Sequence, residues 1–546
     1  MSEFFLNMVK EASPKVNHEV MSGLAAIYVD KAPQWLDSIF RSTRSFPEGL
    51  EYIDYEHCSP QTEFCEVTRP RNNRRTYDLA LSDITMYSYK FAFKGTPIKP
   101  RHLYLPYTRR PGVTYLSDTM YLYTPVLSDK VLSPNPDAIF TRLLKTKIFF
   151  RSVFHSIVVD GVRETLRVVY SNIYQNEKKK QSVTATTKAY STAAHYLFAK
   201  YGLSRTFQTY AGFVPVVGLD DINPVNYPPS QWVITESRLE KPIQSYVGNV
   251  YIPDQIRLAI PKDKWELSTT KGLVAGFYYV LDNFPGHIKI SANYYDNPNV
   301  WGIALGHILF SGNLPLTIIA AQIYDHFQSL DDYLDEITAG KLKELGHVVK
   351  NFYDLLALII DKYSILIVDS DRESLTMFGK NLEVLYYLLY PITSQLFNLT
   401  FTLMKMSRRR QLTVRDIEEQ FARSLTPSRI HHLTRKGSIL IEPVSYSGDH
   451  AFPKIVSKLN QQETAIGGSR TKKARTRLGP QHHADPSMLV CGAMLGISKS
   501  FPAPPGRVNP YAPIDIATGT FYKKPEHEAD LLFIENKIRS GSLKSE

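Results

Sequence analysis

A chain of 546 residues is longer than one hydrophobic core holds, since single cores stop growing near about 250–300 residues, so two or three packed units are expected. The hydrophobic fraction of 43% and charged fraction of 21% are ordinary for a globular protein, and the formal net charge is +11. Cys58, Cys65 and Cys491 are too few and too irregularly spaced for a disulfide framework or a common zinc pattern, and MSEFFLNMVKEASPK lacks the basic-then-apolar run of a secretory signal; both favour a reducing, cytoplasmic setting.

In chain order, residues 1–50 read as a helical segment, with Val20, Leu24, Ile27, Trp35, Ile39 and Phe40 on one side and Pro33 interrupting. Residues 51–185 read as a β-rich domain, through Tyr77–Phe93, the stretch around Tyr104, and Val113–Tyr123. Its clearest signal is FHSIVV-DG-VRETLRVVY, where Asp160-Gly161 separates two β-type runs as a two-residue hairpin turn requires. Residues 186–312 form a mixed α/β region, with a short helix over 188–202 and an irregular, Pro-rich stretch to about 262.

Residues 313–436 carry helical spacing and predict a bundle. One helix runs through Ile319, Ile323, Phe327, Leu330, Leu334 and Ile337, and another through Leu342, Leu345, Val349, Phe352, Leu356 and Ile359. A third follows through Leu375, Phe378, Leu382, Leu385, Leu389, Leu396 and Leu403. Gly340 and Gly346 fit caps or breaks. Val384 to Met404 is uncharged and long enough to span a bilayer, but Pro391, Thr393, Ser394, Gln395, Asn398, Thr400 and Thr402 burden it in hydrocarbon, so a buried helix is expected and no membrane. A short β segment (437–466), a basic flexible linker (467–485) and a small mixed segment (486–546) complete an α+β chain: β-rich N-terminal half, helical middle, mixed C-terminal end.

The positive charge is local. Between Lys405 and Gly479 there are 16 Lys/Arg against six acids, so this stretch supplies +10 of the net +11. It includes Arg408, Arg409 and Arg410, and the Gly-flanked arm GGSRTKKARTRLG with Arg470, Lys472, Lys473, Arg475 and Arg477. Smaller clusters are Arg69, Arg71, Arg74 and Arg75 in a loop, and Lys178 to Lys180. Clustered cations attract polyanions, and the 34 Tyr offer rings that suit sheet faces, interfaces or unpaired bases alike. A solvated connector without a partner has the same composition.

No phosphate-cradling glycine motif, nucleophile elbow or zinc-protease helix is present. Two acidic constellations remain. DHFQSLDDYLDE spells DDxxD, and on one helix Asp331 and Asp335 would share a face able to hold Mg²⁺, although no second acidic motif accompanies it. YSILIVDSDRES ends an apolar run at Asp369 and Asp371, either a strand delivering a metal-binding DxD or a helix end and turn. Apart from Mg²⁺ at such a site, no cofactor is expected. His431-His432 and His482-His483 are adjacent pairs that do not face one metal site.

YTPVLSDKVLSPNPDAIFTRLLKTK (Tyr123–Lys147), SLDDYLDEITAGKLKELG and TMFGKNLEVLYYLLY resemble segments of large proteins encoded by tailed bacteriophages that have no activity attached. The resemblance implies a product made in the bacterial host cytoplasm, with phage or host protein partners, and carries no functional residue across. The first reading is a nucleic-acid-binding accessory protein of phage replication or transcription, gripping phosphates through the basic clusters. A structural or assembly component of the particle, its arm facing packaged DNA, is the second, and self-association suits either. A metal-dependent nucleotide enzyme using Asp369 and Asp371 is the third.

Overall fold

The computed structural model describes residues 29–68, 83–108, 113–171 (apart from 117, 124, 136–137 and 144–145), 190–237, 256–283, 294–310, 314–368 and 376–425. Further on it describes 441–443, 454–457, 505–507, 514–515, 518–522 and a few isolated positions. The chain forms two compact units. One is split, Met1–Ser133 with Arg372–Glu546, and the other, Pro134–Asp371, is inserted between its halves. The fold is α+β, with strands prominent towards the N-terminus and helices in the middle.

In the split unit, helix α1 (Ala32–Ser42) buries Leu36, Ile39 and Phe40. Pro33 is expected to interrupt a helix, and a turn at Asp30 and Lys31 does separate helical Val29 from α1. Pro33 itself opens α1, its fixed φ and missing N–H suiting the first turn, where amide donors have no partner anyway. Strand β1 (Leu50–His57) leads to helix α2 (Pro60–Thr68), then to β2 (Ile84–Phe93) and β3 (Arg101–Pro106). β2 pairs antiparallel with both β1 and β3. Phe40 packs into this sheet against Tyr52, Tyr89 and Phe91, at centroid distances of 5.1–5.5 Å. Strands β4 (Val113–Leu116), β5 (Thr119–Tyr123) and β6 (Val126–Asp129) follow.

The inserted unit is built on the predicted hairpin, β8 and β9, preceded by β7. These are β7 (Ala138–Arg142), β8 (Lys147–Val159) and β9 (Val162–Ser171). Asp160 (φ 47°) and Gly161 (φ 80°) are both left-handed, as the turn requires, and Val159 faces Val162. The Asp160 carboxylate also accepts the Ile234 N–H at 2.8 Å, tying the turn to the next strand.

Helices α3 (Ala193–Tyr201) and α4 (Leu203–Tyr210) precede strands β10 (Val216–Gly218), β11 (Trp232–Ser237) and β12 (Arg257–Pro261). The sheet runs β10–β12–β11–β8, and β8 also pairs with β7 and β9. Helix α5 (Ser268–Asp282) covers one sheet face. Its Tyr278 hydroxyl donates to the Thr235 carbonyl at 2.6 Å, and its Asp282 holds His155 and Ser237 at 2.8 and 2.6 Å.

Helices α6 (Pro298–Leu309), α7 (Leu316–Leu330), α8 (Glu336–Glu344) and α9 (Phe352–Val368) complete this unit. Gly276 and Gly306 let helices approach: a Cβ on them would meet Ala194 Cβ and Ile319 Cγ2 at 2.4 and 2.3 Å. Gly202 joins α3 to α4 at φ +82°, and a Cβ there would lie 2.5 Å from the Asp296 carbonyl oxygen. Gly202→Ala is therefore expected to cost about 3 kcal/mol, from left-handed strain plus a clash with backbone. Chemical denaturation checks this, and a loss below about 1 kcal/mol would refute the close approach.

Two expected helices prove shorter. Leu334 and Ile337 do not continue α7, which stops at Leu330, and the second pattern divides at Gly346 (φ +83°) into α8 and α9. The third departs further. Leu382 lies not in a helix but in strand β13 (Lys380–Glu383), entered by a 3₁₀ turn at Met377–Gly379. Pairing with β6 overrides the helical spacing: Asn381 faces Ser128 and Leu382 faces Leu127, while buried Lys380 forms an ion pair with half-buried Asp129. The quoted stretches YTPVLSDK and GKNLE are thus neighbours in one sheet.

Helix α10 (Leu385–Arg409) then runs on through Pro391 and buries Leu385, Leu388, Leu389, Ile392, Leu396, Leu399 and Leu403. Thr393, Thr400 and Thr402 satisfy their hydroxyls on carbonyls three or four residues back. No described helix is long and apolar enough to cross a membrane. Helix α11 (Val414–Ser424) follows, and its Phe421 packs on Phe91 at 4.8 Å. Strands β14 (Ile441–Pro443), β15 (Lys454–Ser457), β16 (Pro505–Arg507), β17 (Ile514–Asp515) and β18 (Thr520–Phe521) are the remaining described strands. β14 pairs with β5, β15 runs parallel to β6 and also pairs with β16, and β18 pairs with β13 and β17.

Candidate nucleic-acid interface

Within the basic region, the described side chains are those at the junction of α10 and α11. Helix α10 stays helical to its end because its apolar row persists to Leu403. Beyond it the sequence turns cationic, and Lys405, Arg408 and Arg409 occupy the last turns, exposed. Positive charge there also compensates the negative end of the helix dipole. The Lys405 ammonium lies 4.2 Å from the centroid of the Phe401 ring, which steadies it.

Arg410 closes the helix, and Thr413 opens α11 with a capping box: Asp416 N–H donates to Thr413 Oγ1, and the Asp416 carboxylate accepts the Thr413 N–H. Asp416 also accepts from the Arg410 guanidinium at 2.5 Å. These bonds, those from Thr413 first, hold the Asp416 carboxyl below the usual carboxylate range. Asp416 is therefore committed to its own cap, while Glu418 accepts the Lys99 N–H and Glu419 pairs with Arg423. Among the described residues, Lys405, Arg409 and Arg415 have no carboxylate partner, so the junction presents net positive charge.

Of the predicted contacts, Arg408, Arg409 and Arg410 lie here. Arg69, Arg71, Arg74 and Arg75, and Arg470, Lys472, Lys473, Arg475 and Arg477, fall outside the described residues, as do the histidine pairs, Asp369 and Asp371. Lys405 and Arg415 belong to the same surface without having been singled out. Each is a single cation among the 16 Lys/Arg of the stretch and joins the cluster only once the end of α10 and the start of α11 are placed.

The acidic readings change. The run Tyr363–Val368 is the end of α9, not a strand delivering a DxD. The DDxxD carboxylates do not share a helix face, because the helix breaks between them. Asp331 ends α7 and pairs with Lys200 at 2.9 Å; Asp335 caps α8, accepting from Thr338 N and Oγ1 at 2.8 and 2.7 Å; Asp332 is buried in the turn. Among the described residues no group of three His, Cys, Asp or Glu side chains could hold a metal ion.

The chain is thus a two-unit α+β protein with a cationic helix junction. The family model described as non-virion RNA polymerase subunit matches residues 4–537, and the chain belongs to that family. No curated protein matches it. Membership gives the chain a phage transcription-related role as a polymerase component. It does not favour the structural-component alternative, since the family's polymerase is the non-virion one.

Proposed function

We propose that this chain is an accessory subunit of a phage RNA polymerase that grips nucleic acid through the α10–α11 junction, acting in the host cytoplasm during infection. The observation that supports this is the exposed set Lys405, Arg408, Arg409 and Arg415 beside acids that are already engaged, Asp416 in a helix cap, Glu418 with the Lys99 N–H and Glu419 with Arg423, in a chain of a polymerase-subunit family. Phosphates displace counterions from such a surface, and the release drives association. Arg69 to Arg75 and the Gly467–Gly479 arm add phosphate contacts in this reading, and other polymerase subunits are the protein partners.

Arg408→Glu with Arg409→Glu is expected to weaken binding of duplex DNA and lower the slope of log affinity against log salt by roughly two, about 0.9 per lost phosphate contact. Fluorescence anisotropy across a salt series measures it. Charges that served only the helix dipole would lower thermal stability and leave the salt slope unchanged, and that result overturns the proposal.

A further inference from the structure

The inserted unit carries a second surface with the same chemistry, on the face of the β8–β9 ribbon turned away from α5. Residues opposite one another across antiparallel strands share a face. His155 and Leu166 form one such rung on the α5 side, where His155 meets Asp282 and Tyr279. The alternate rungs face the other way: Phe154 opposite Arg167, Ser156 opposite Thr165, and Val158 opposite Arg163.

Phe154 is 63% exposed. A single exposed ring is ordinary, but this one is part of a built arrangement. The Arg167 guanidinium lies 5.0 Å from its centroid and 5.5 Å from that of Tyr363, and donates to Ser152 Oγ at 3.1 Å, so the cation is held in place. The next rung joins two hydroxyls, Ser156 and Thr165, at 3.1 Å. The last ends in exposed Arg163.

Neither β8 nor β9 places a carboxylate on these three rungs, and among the described residues none pairs with Arg163 or Arg167. On the third rung β11 contributes Glu236, opposite Val158 on its other side, and this carboxylate is taken by Arg257 at 2.9 Å. Phe154 and Arg163 mark rungs four residues apart along the strand, about 13 Å, so one ring and two cations line a strip.

We propose that this ribbon face binds unpaired nucleic acid, one base stacking on Phe154 and phosphates resting on Arg167 and Arg163. Charge selects the occupant: the strip is cationic, aromatic and hydroxyl-bearing, the composition that holds single strands without reading sequence. An RNA polymerase exposes both a melted DNA strand and a transcript, and both share that chemistry. The inference rests on the nucleic-acid reading above but uses residues of the other unit.

The test is anisotropy of labelled oligo-dT and oligo-rU on the full-length chain, with Phe154→Ala and, separately, Arg163→Gln/Arg167→Gln. Phe154→Ala is expected to weaken binding about tenfold, as loss of one stacked base does, and to leave an abasic strand of the same length unaffected. Loss confined to oligo-dT assigns the strip to melted DNA; loss confined to oligo-rU assigns it to the transcript. Wild-type affinity of Phe154→Ala for both strands, or an equal loss for the abasic strand, overturns the proposal. Arg408→Glu/Arg409→Glu run in parallel separates the two sites. If it lowers the duplex salt slope while Phe154→Ala changes nothing, only the ribbon site falls; the converse removes only the junction.

Discussion

Acidification from about pH 7 to about pH 4.5 should destabilise the inserted unit by several kcal/mol, through two histidines held neutral in its core. His195 is fully enclosed. Its Nε2 faces the Trp301 carbonyl at 3.0 Å, and a carbonyl only accepts, so Nε2 carries the proton and Nδ1 is bare. His326 lies against the Tyr196 hydroxyl at 3.2 Å. Burial pushes both rings down to about 4 from an ordinary 6.5; the Trp301 carbonyl opposes this only partly at His195. Folded, both stay neutral until about pH 4, while the unfolded chain takes up protons below 6.5. The stability is therefore full above pH 6.5 and declines as the pH falls towards 4, by about 3 kcal/mol per ring. Urea unfolding at stepped pH measures it, with His195→Gln and His326→Gln each flattening the decline. A midpoint that held steady over this window in the parent chain would show the rings accept protons without unfolding.

Trp301→Ala should cost the same unit about 3–5 kcal/mol, the range for emptying a large aromatic site. Trp301 has no exposed surface and lies 5.1 Å from Phe198, 5.9 Å from Phe277 and 6.2 Å from Tyr295, ring to ring. These rings come from α3, α5 and the segment before α6, so the indole joins three parts of the core. Its Nε1–H also donates to the Tyr295 carbonyl at 2.7 Å, which alanine leaves with a lost partner in a cavity. Trp301→Phe should recover part of the packing and none of that bond. Amide exchange over α3 and α6 gives the readout; protection unchanged in the alanine variant would mean the neighbours collapse to fill the space.

What sequence could reveal followed the range of the forces involved. The Asp160-Gly161 hairpin was legible because two adjacent residues able to take positive φ suffice to set its register. Strand β13 was not. Leu382, Leu385 and Leu389 keep helical spacing, and only pairing with Leu127 and Ser128, remote in sequence, makes Lys380–Glu383 extended. DDxxD failed for a related reason: a helix face needs an unbroken helix, and Asp335 serves as the next helix's cap. At the junction, Arg408 to Arg410 stood out as a run. Lys405 and Arg415 did not, because a single cation signals nothing until the helix ends are placed. The strip of Arg163, Thr165 and Arg167 was present as a two-residue alternation, but it becomes a surface only once α5 is known to cover the other face.

The split unit has a consequence for how the chain comes to life on the ribosome. Strand β6 is synthesised early, yet its partner β13 lies beyond the whole inserted unit, with Leu127 awaiting Leu382. At about 5–20 residues per second, that wait is roughly ten to fifty seconds. The inserted unit is complete and free to fold within it, whereas the sheet holding β6 stays open along an edge that invites mispairing. Maturation of the split unit is thus a late event, timed by translation of the segment that also carries the basic junction.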